Sequence, residues 1–380
     1  MKNSFFLILF SIFISLSFFA KSPVLQYGDS GWKIDSTRFD VRFPAMKEWA
    51  KAGVEGGIPS KNTVRIVKRI APIDNLQLAI DNITKTPAVL LLAEGEYVIS
   101  NMIRLRSGII LRGVNKNTVI LSVKVHGQHP SLSTTPRQSA LLLENVVNVG
   151  IENLTMKYTD VPFEPNDRDS FSAAWTMDVF HEREMRDTTL VVEHINMIKA
   201  KNCWVQDCNL LWSGTDPIRI SASEHITCRR NLIDRCYNKA DFGMGYYNIT
   251  NSSYVLICNE TIKRIRHFAI QNGSKYNVVI NNDLEVDINF HNGDAGFNLI
   301  ENNRVRIPTW HSWGPISVGD SRQHQPPGKG NVLLNNSFQD KSGKILYSEK
   351  DRVYFMTTDW TSKRVINSDI YLKKSLYPIH

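Results

Sequence analysis

The chain has 380 residues and a formal net charge of +8, with five cysteines, too few for a disulfide scaffold. Its length suits one or two domains around a sizeable core. The positive balance favours polyanionic partners, but no basic run, zinc-finger spacing or RNP-like motif supports nucleic acid, which leaves an acidic polysaccharide as the expected polyanion.

The first residues read MKNSFFLILFSIFISLSFFAKS, where Lys2 gives a positive start, Phe5 to Phe19 an apolar stretch and Ala20 a small residue. That is the pattern of a secretory signal peptide over residues 1–20. The apolar stretch is short for a bilayer span, and no later one approaches the roughly 18 residues a span needs. The expectation is a secreted or periplasmic monomer, with no membrane association after cleavage.

Residues 21–72 read as an N-terminal extension. Asp74 is then a plausible N-cap for a short amphipathic helix with Leu76, Ala79 and Ile80 on one face. A helix there would cap the open end of a solenoid, covering apolar cross-section and unpaired strand edges. The strands AVLLLAEGEYVI, MIRLRS and GIILRG follow.

From there on, short apolar strands keep ending in asparagine, at Asn153, Asn209, Asn231, Asn259, Asn282, Asn303 and Asn336. A coil of about 22 residues with variable loops fits the series, whereas a propeller blade needs about twice that period. Strands this short bury a face only by stacking. An asparagine tolerates the left-handed bend between them and can bond to the next asparagine in the stack. The fold expected is all-β: a right-handed parallel β-helix (solenoid) over 73–338, with the N-terminal capping helix. Asn209, Asn231, Asn259, Asn282 and Asn303 are expected to stack along one edge.

Residues 159–190 break the repeat with many acids, Trp175, Phe180 and His181. They read as an inserted loop, either a groove wall or a solvated excursion. Residues 339–380 read as a C-terminal cap ending in a strand pair. Cys203, Cys208, Cys228, Cys236 and Cys258 fit small buried hydrophobes better than bridges.

The helix LQLAID, then VLLLAEGEYVI and LRSGIILRG, resembles the opening of the pectate-lyase-like β-helix superfamily, and the likeness extends through the asparagine-ended coils to about residue 338. The resemblance implies the fold and only suggests the chemistry, since the superfamily includes lyases, hydrolases, epimerases and tailspikes.

At near-equal distances beyond the coil asparagines stand Asp216, Lys239, Arg266 with His267, His291 and His311. Equal offsets in a solenoid place side chains above one another, about 4.8 Å apart per coil. Stacked cations and imidazoles do not help folding, so the column reads as a site for an extended anionic chain, lying in an open groove. Arg219, Asp241, Tyr246, Tyr247, Asp294, His311 and Trp313, with Asp216, are the expected substrate contacts.

Breaking a uronate polymer by β-elimination requires neutralising the C6 carboxylate, removing the C5 proton and protonating the leaving oxygen. Lys239 or His267 would take the proton, Arg266 would neutralise the carboxylate, and His291 with Tyr247 would position the sugar. Lys239 and Arg266 lie one coil apart, as the resemblance to β-helix lyases of the alginate lyase and chondroitinase B type implies for a Lys base and its Arg. Those relatives also imply calcium, which stays open here. Glu260, Asp283, Glu285 and Glu301 could supply hard oxygens, or could serve as surface partners of Arg264, Arg304 and Arg306, the reading favoured.

Two rival functions remain. A hydrolase would need paired carboxylates, with Asp216, Asp241 and Asp294 as candidates. The Asn-Thr-Asp, Asp-Asp, Gly-His-Gly and Arg-Ile-Lys pattern of β-helix polygalacturonases is absent, and SGTDP keeps only a Thr-Asp. A non-catalytic glycan-binding solenoid explains the aromatics but not the clustering of Lys, Arg and His.

Overall fold

The computed structural model describes residues 26–128, 137–160, 190–239, 243–360 and 363–379. The expected signal peptide, nearly all of the 159–190 insertion and Asp241 lie outside them. The described chain winds as a right-handed parallel β-helix with three sheets, of twelve, ten and eight strands. One coil runs from Thr227–Arg229 on the twelve-stranded sheet to Leu232–Cys236 on the ten-stranded sheet, then to Tyr246–Thr250 on the eight-stranded sheet. Leu256–Cys258 then returns to the first sheet with Leu256 in register on Thr227.

Short strands suffice because each inward position repeats from coil to coil. Val205, Cys228, Ile257, Val279, Ile300 and Leu333 are consecutive register partners, and all are fully buried. Burying one such aliphatic side chain contributes about 1.5–3 kcal/mol. All five cysteines are buried and free, as their use as small hydrophobes predicts.

The asparagine edge exists, but with a different membership from the one predicted. Asn231 Oδ1 accepts the amide of Cys208 at 2.8 Å, Asn282 that of Glu260 at 2.9 Å, Asn303 that of Asn282 at 3.0 Å and Asn336 that of Asn303 at 2.9 Å. The rungs are therefore Cys208, Asn231, Glu260, Asn282, Asn303 and Asn336. Asn209 sits one residue past its rung, paired with Leu232. Asn259 sits one residue before its rung at φ +56°, as Asn281 and Asn302 do at +60° and +55°. The turn has two adjacent positions that favour asparagine, one for left-handed backbone and one for the ladder. The sequence pattern merges them.

Two further ladders were not anticipated. Ser223, Ser252 and Ser274 accept successive backbone amides at 3.0–3.1 Å, and Asn277, Asn298 and Asn331 do so at another turn. At the capping helix Leu76–Asp81, the N-cap is Asn75, which accepts the amide of Leu78 at 2.9 Å. Asp74 instead accepts the amide of Ala71 and closes the preceding turn.

The N-terminal extension lies across the outer face of the twelve-stranded sheet, where Phe43, Met46 and Trp49 pack with Leu256, Val278 and Leu299. The C-terminal tail clasps it: Arg38 donates to the Ser375 carbonyl at 2.6 Å and the Tyr377 hydroxyl to the Ala52 carbonyl at 3.0 Å. Strands Arg352–Met356 and Val365–Tyr371 continue that sheet antiparallel. Among the described residues no helix is long and apolar enough to cross a membrane.

Candidate active site

The eight-stranded sheet carries the candidate site residues on its outer face. Strands Tyr246–Thr250, His267–Gln271, Ile288–Phe290 and Ile316–Val318 stack in register, so alternate side chains form outward columns. Tyr246 stands opposite His267, and Asp287 closes on His267 from the next coil. The adjacent column is Arg219, Asn248, Ala269, Asn289 and Ser317. Over these columns opens a groove of about 770 Å³, lined by Arg219, Tyr246, Arg266, His267, His291 and Trp313 together with Arg137, Gln271, Asp320 and His324.

His267 is fixed by Asp287, whose carboxylate oxygens lie 2.8 and 2.9 Å from Nδ1. Ser317 donates its hydroxyl to the same carboxylate. Burial pushes the Asp287 carboxyl up to about 6. The His267 ring packs edge-on against Trp313 and Tyr246, with centroids 4.2 and 4.9 Å away. Arg266 lies between two aromatic rings, its guanidinium 5.8 Å from the Tyr246 centroid and 5.5 Å from that of Trp313. Such a sandwich fixes the guanidinium by cation–π contact with both rings.

The Tyr246 hydroxyl lies 3.2 Å from His291 Nε2. Burial, with His267 and His324 nearby, pushes the His291 imidazole down to about 3, so it is neutral near pH 7. His311 is buried behind the groove: its Nε2 donates to the Arg266 carbonyl at 2.9 Å and its Nδ1 accepts the Trp313 amide at 3.3 Å. It therefore supports the Arg266 and Trp313 backbone and does not line the groove.

The single column expected from the asparagine offsets is not formed. The connections into the eight-stranded sheet, residues 237–245, 264–266, 286–287 and 307–315, differ in length, so equal counts do not end at equal places. Lys239 is buried, 3% exposed, with its ammonium directed at the Cys236 carbonyl, and it does not line the groove. Gly245, at φ +76°, makes this burial possible, because a Cβ there would lie 3.0 Å from Lys239 Cγ and 2.8 Å from the Asn238 carbonyl oxygen. Burial lowers the Lys239 pKa to about 7.

Three expected substrate contacts are also internal. Asp216 is fully buried beneath the groove, accepting the Tyr246 amide at 2.8 Å and standing 3.6 Å from Arg219. Tyr247 points inward against Phe268, because strand alternation sends its neighbour Tyr246 outward. Asp294 caps a turn at the asparagine ladder, accepting from the Gly296 and Gly328 amides and from Asn298 and Asn331.

Asp287, Gln271, Asn248, Arg137 and His324 were missed. A signal for two of them was present, since Asp287 lies 20 residues beyond His267 and His291 lies 20 beyond Gln271. One coil counted from the histidines finds these partners; counting from the asparagines does not.

The acids considered for calcium do not converge. Asp283 pairs with Arg304 and Arg306, and Glu285 with Arg306. Glu260 occupies the ladder, and Glu301 accepts the Leu376 amide at 3.1 Å. Arg264 pairs with Asp234, outside the expected set. Among the described residues His267, Asp287 and His311 bring ligand-type atoms within 4.8 Å of one another, but the hydrogen bonds above already employ those atoms. A second cavity, of about 490 Å³, lies under the N-terminal strap beside Trp32, His225 and Tyr254. Its histidine is tied to the carbonyls of Lys51 and Gly53 and so anchors the strap.

No curated protein sequence matches the chain. Among solved structures, a polygalacturonase from Erwinia carotovora ssp. carotovora is 13% identical over 68% of this chain and 76% of its own, with a TM-score of 0.44. The pectin methylesterase PemA from Erwinia chrysanthemi is 11% identical over 74% and 84%, at 0.41. An iota-carrageenase in complex with iota-carrageenan fragments is 12% identical over 67% and 57%, at 0.44. At these values they say nothing about this chain's chemistry. The family model described as rhamnogalacturonase A/epimerase, pectate lyase-like, matches residues 72–298. With that match covering more than half its length, the chain belongs to this family of polysaccharide-active, pectate-lyase-like β-helix proteins.

Proposed function

We propose that the protein is an exported lyase that cleaves a uronate-containing polysaccharide by β-elimination. The observation that carries this reading is the makeup of the groove: arginines, imidazoles and a phenol line it, with one carboxylate, Asp320, among the described lining residues. Inverting or retaining hydrolysis needs two carboxyl groups, one of them protonated. Asp320 cannot be that acid, because hydrogen bonds from Arg322 hold its pKa at about 2. Asp216 and Asp287 are buried beneath the groove wall.

In this reading Arg266 neutralises the C6 carboxylate and stabilises the enolate as charge develops. His267, with Nδ1 held by Asp287, removes the C5 proton through its other nitrogen. The C5–H electron pair forms the new double bond to C4, the bond from C4 to the glycosidic oxygen breaks, and that oxygen takes a proton from Tyr246. His291 is too weak a base to keep that proton, so the phenol acts as the acid. Proton exchange with solvent restores both groups. Arg219, Arg137 and Trp313 would hold neighbouring sugars.

The test is incubation of the purified protein with a panel of uronic polysaccharides. A lyase produces the ultraviolet absorbance of an unsaturated uronate. New reducing ends without that absorbance would instead establish a hydrolase, and retention without either would establish a binding solenoid.

A further inference from the structure

We propose that Gln271 is a positioning residue whose side-chain oxygen fixes the tautomer of His291, leaving Nε2 as the acceptor for the Tyr246 phenol. The direction of every bond follows from the far end of the chain of contacts. Asp216 is buried, takes the Tyr246 amide at 2.8 Å and stands 3.6 Å from the Arg219 guanidinium. A guanidinium only donates, so the Asp216 oxygen that Arg219 faces accepts, and Asn248 presents Nδ2 to that same oxygen, at 3.2 Å. Asn248 Oδ1 is then left facing Gln271 and takes its Nε2 hydrogen at 2.9 Å. That orients the Gln271 amide, and its Oε1 meets His291 Nδ1 at 3.1 Å.

Nδ1 must therefore carry the imidazole hydrogen. Nε2 keeps its lone pair, and the Tyr246 hydroxyl 3.2 Å away donates to it. The run begins and ends on neighbouring groups, since Asp216 also binds the Tyr246 backbone. Register explains why these five residues meet: Thr250 pairs with Gln271, which places Asn248 and Gln271 diagonally on adjacent strands. Reversing any one amide would set two donors or two acceptors against each other.

The consequence for turnover rests on the lyase reading above; the tautomer does not. The opposite tautomer would donate to the Tyr246 oxygen, favour the phenolate and lower the phenol pKa. Arg266 and His267 also face Tyr246, and His324 packs on His291 at 4.4 Å between centroids; all three stay in place in the variants used.

The experiment is long-range proton–nitrogen NMR of the full chain with ¹⁵N-labelled histidine, assigned by loss of one spin system in His291→Gln. The wild type should show a protonated Nδ1 and a bare Nε2 at His291. Gln271→Met should convert it to the Nε2–H form, whereas Gln271→Glu, which keeps an oxygen against Nδ1, should not. If a substrate is found, Gln271→Met should also move the alkaline limb of kcat/KM to lower pH. An Nε2–H tautomer in the wild type, or an unchanged tautomer in folded Gln271→Met, overturns the proposal. Absence of lyase activity with the expected tautomers would sink the functional reading alone.

Discussion

Asp287 grips the His267 imidazole through both carboxylate oxygens, at 2.8 and 2.9 Å from Nδ1. The contact is fully buried, so it fixes both the ring and the nitrogen that carries the hydrogen. Asp287→Asn should reduce turnover by about 10²-fold or more if His267 moves the proton. Stability should move the other way. Burial raises the folded Asp287 pKa to about 6, above its unfolded value, so its stabilising effect is complete at low pH and is lost as pH rises through 6. At pH 7 the asparagine variant should therefore melt no lower than wild type while losing activity. Calorimetry beside the ultraviolet assay reads both, and a variant that loses both together would make Asp287 merely structural.

In the proposed reaction Arg266 meets the substrate carboxylate, and Tyr246 and Trp313 flank its guanidinium. Arg266→Ala should lower kcat by about 10²–10³-fold, the usual loss when a group stabilising developing charge is removed. Arg266→Lys should recover little of this, since an ammonium lacks the planar fork that stacks and binds a carboxylate in two places. Steady-state kinetics on the polymer that the panel identifies would check this, and full rescue by lysine would reduce Arg266 to a diffuse positive charge.

Lys239, one of the two expected candidates for the base, is a buried amine beside Gly245. Lys239→Met should leave kcat within a few-fold of wild type. Burial lowers its folded pKa to about 7, well below the unfolded value, so the unfolded chain binds more protons between about 7 and 10.4. Wild-type stability should rise with pH through that window. Lys239→Met should lack the rise and be more stable at pH 6, by an amount on the order of a few kcal/mol. Urea titrations of both proteins at pH 6, 8 and 10 would show it, and parallel pH profiles would contradict it.

The contrast between Lys239 and His267 shows how far the sequence could be read. Repeated short apolar strands dictate a solenoid whatever the loops do, because only stacking buries them, and the sheets have that form. Which side chains meet in the groove depends on connections of unequal length, 237–245 against 264–266, and no asparagine count registers that difference. Tyr246 and His267 open their strands and Arg266 immediately precedes one, whereas His291 follows the end of Ile288–Phe290 and Trp313 lies inside the 307–315 connection. Tyr247 was misplaced by one residue, enough to send it to the opposite face. Asp287 went unnoticed because an isolated acid carries no pattern until the coil is closed around it.

The asparagine edge gives the sharpest test of register. Asn282 Oδ1 accepts the Glu260 amide at 2.9 Å, while its Nδ2 donates to the Ile257 carbonyl at 3.1 Å and to Asn303 at 2.8 Å. Truncating it strands a buried amide and a carbonyl, so Asn282→Ala should cost about 3 kcal/mol, the sum expected for unmet buried groups. Asn259, which looks equivalent in sequence, only occupies a left-handed position at φ +56°. Asn259→Ala should cost about 1 kcal/mol and Asn259→Gly close to nothing. The rung beside it belongs to Glu260, whose Oε1 accepts Asn231 Nδ2 at 2.8 Å and whose pKa burial lifts to about 8. A carboxyl raised in this way stabilises fully at low pH and loses that contribution as pH rises through 8. Glu260→Gln keeps the accepting oxygen and removes the titration, so it should match wild type near pH 4 and exceed it at pH 9. Urea midpoints for the four variants decide the matter: equal losses at Asn259 and Asn282, or a Glu260→Gln protein weaker than wild type at pH 9, would remove the ladder from its present register.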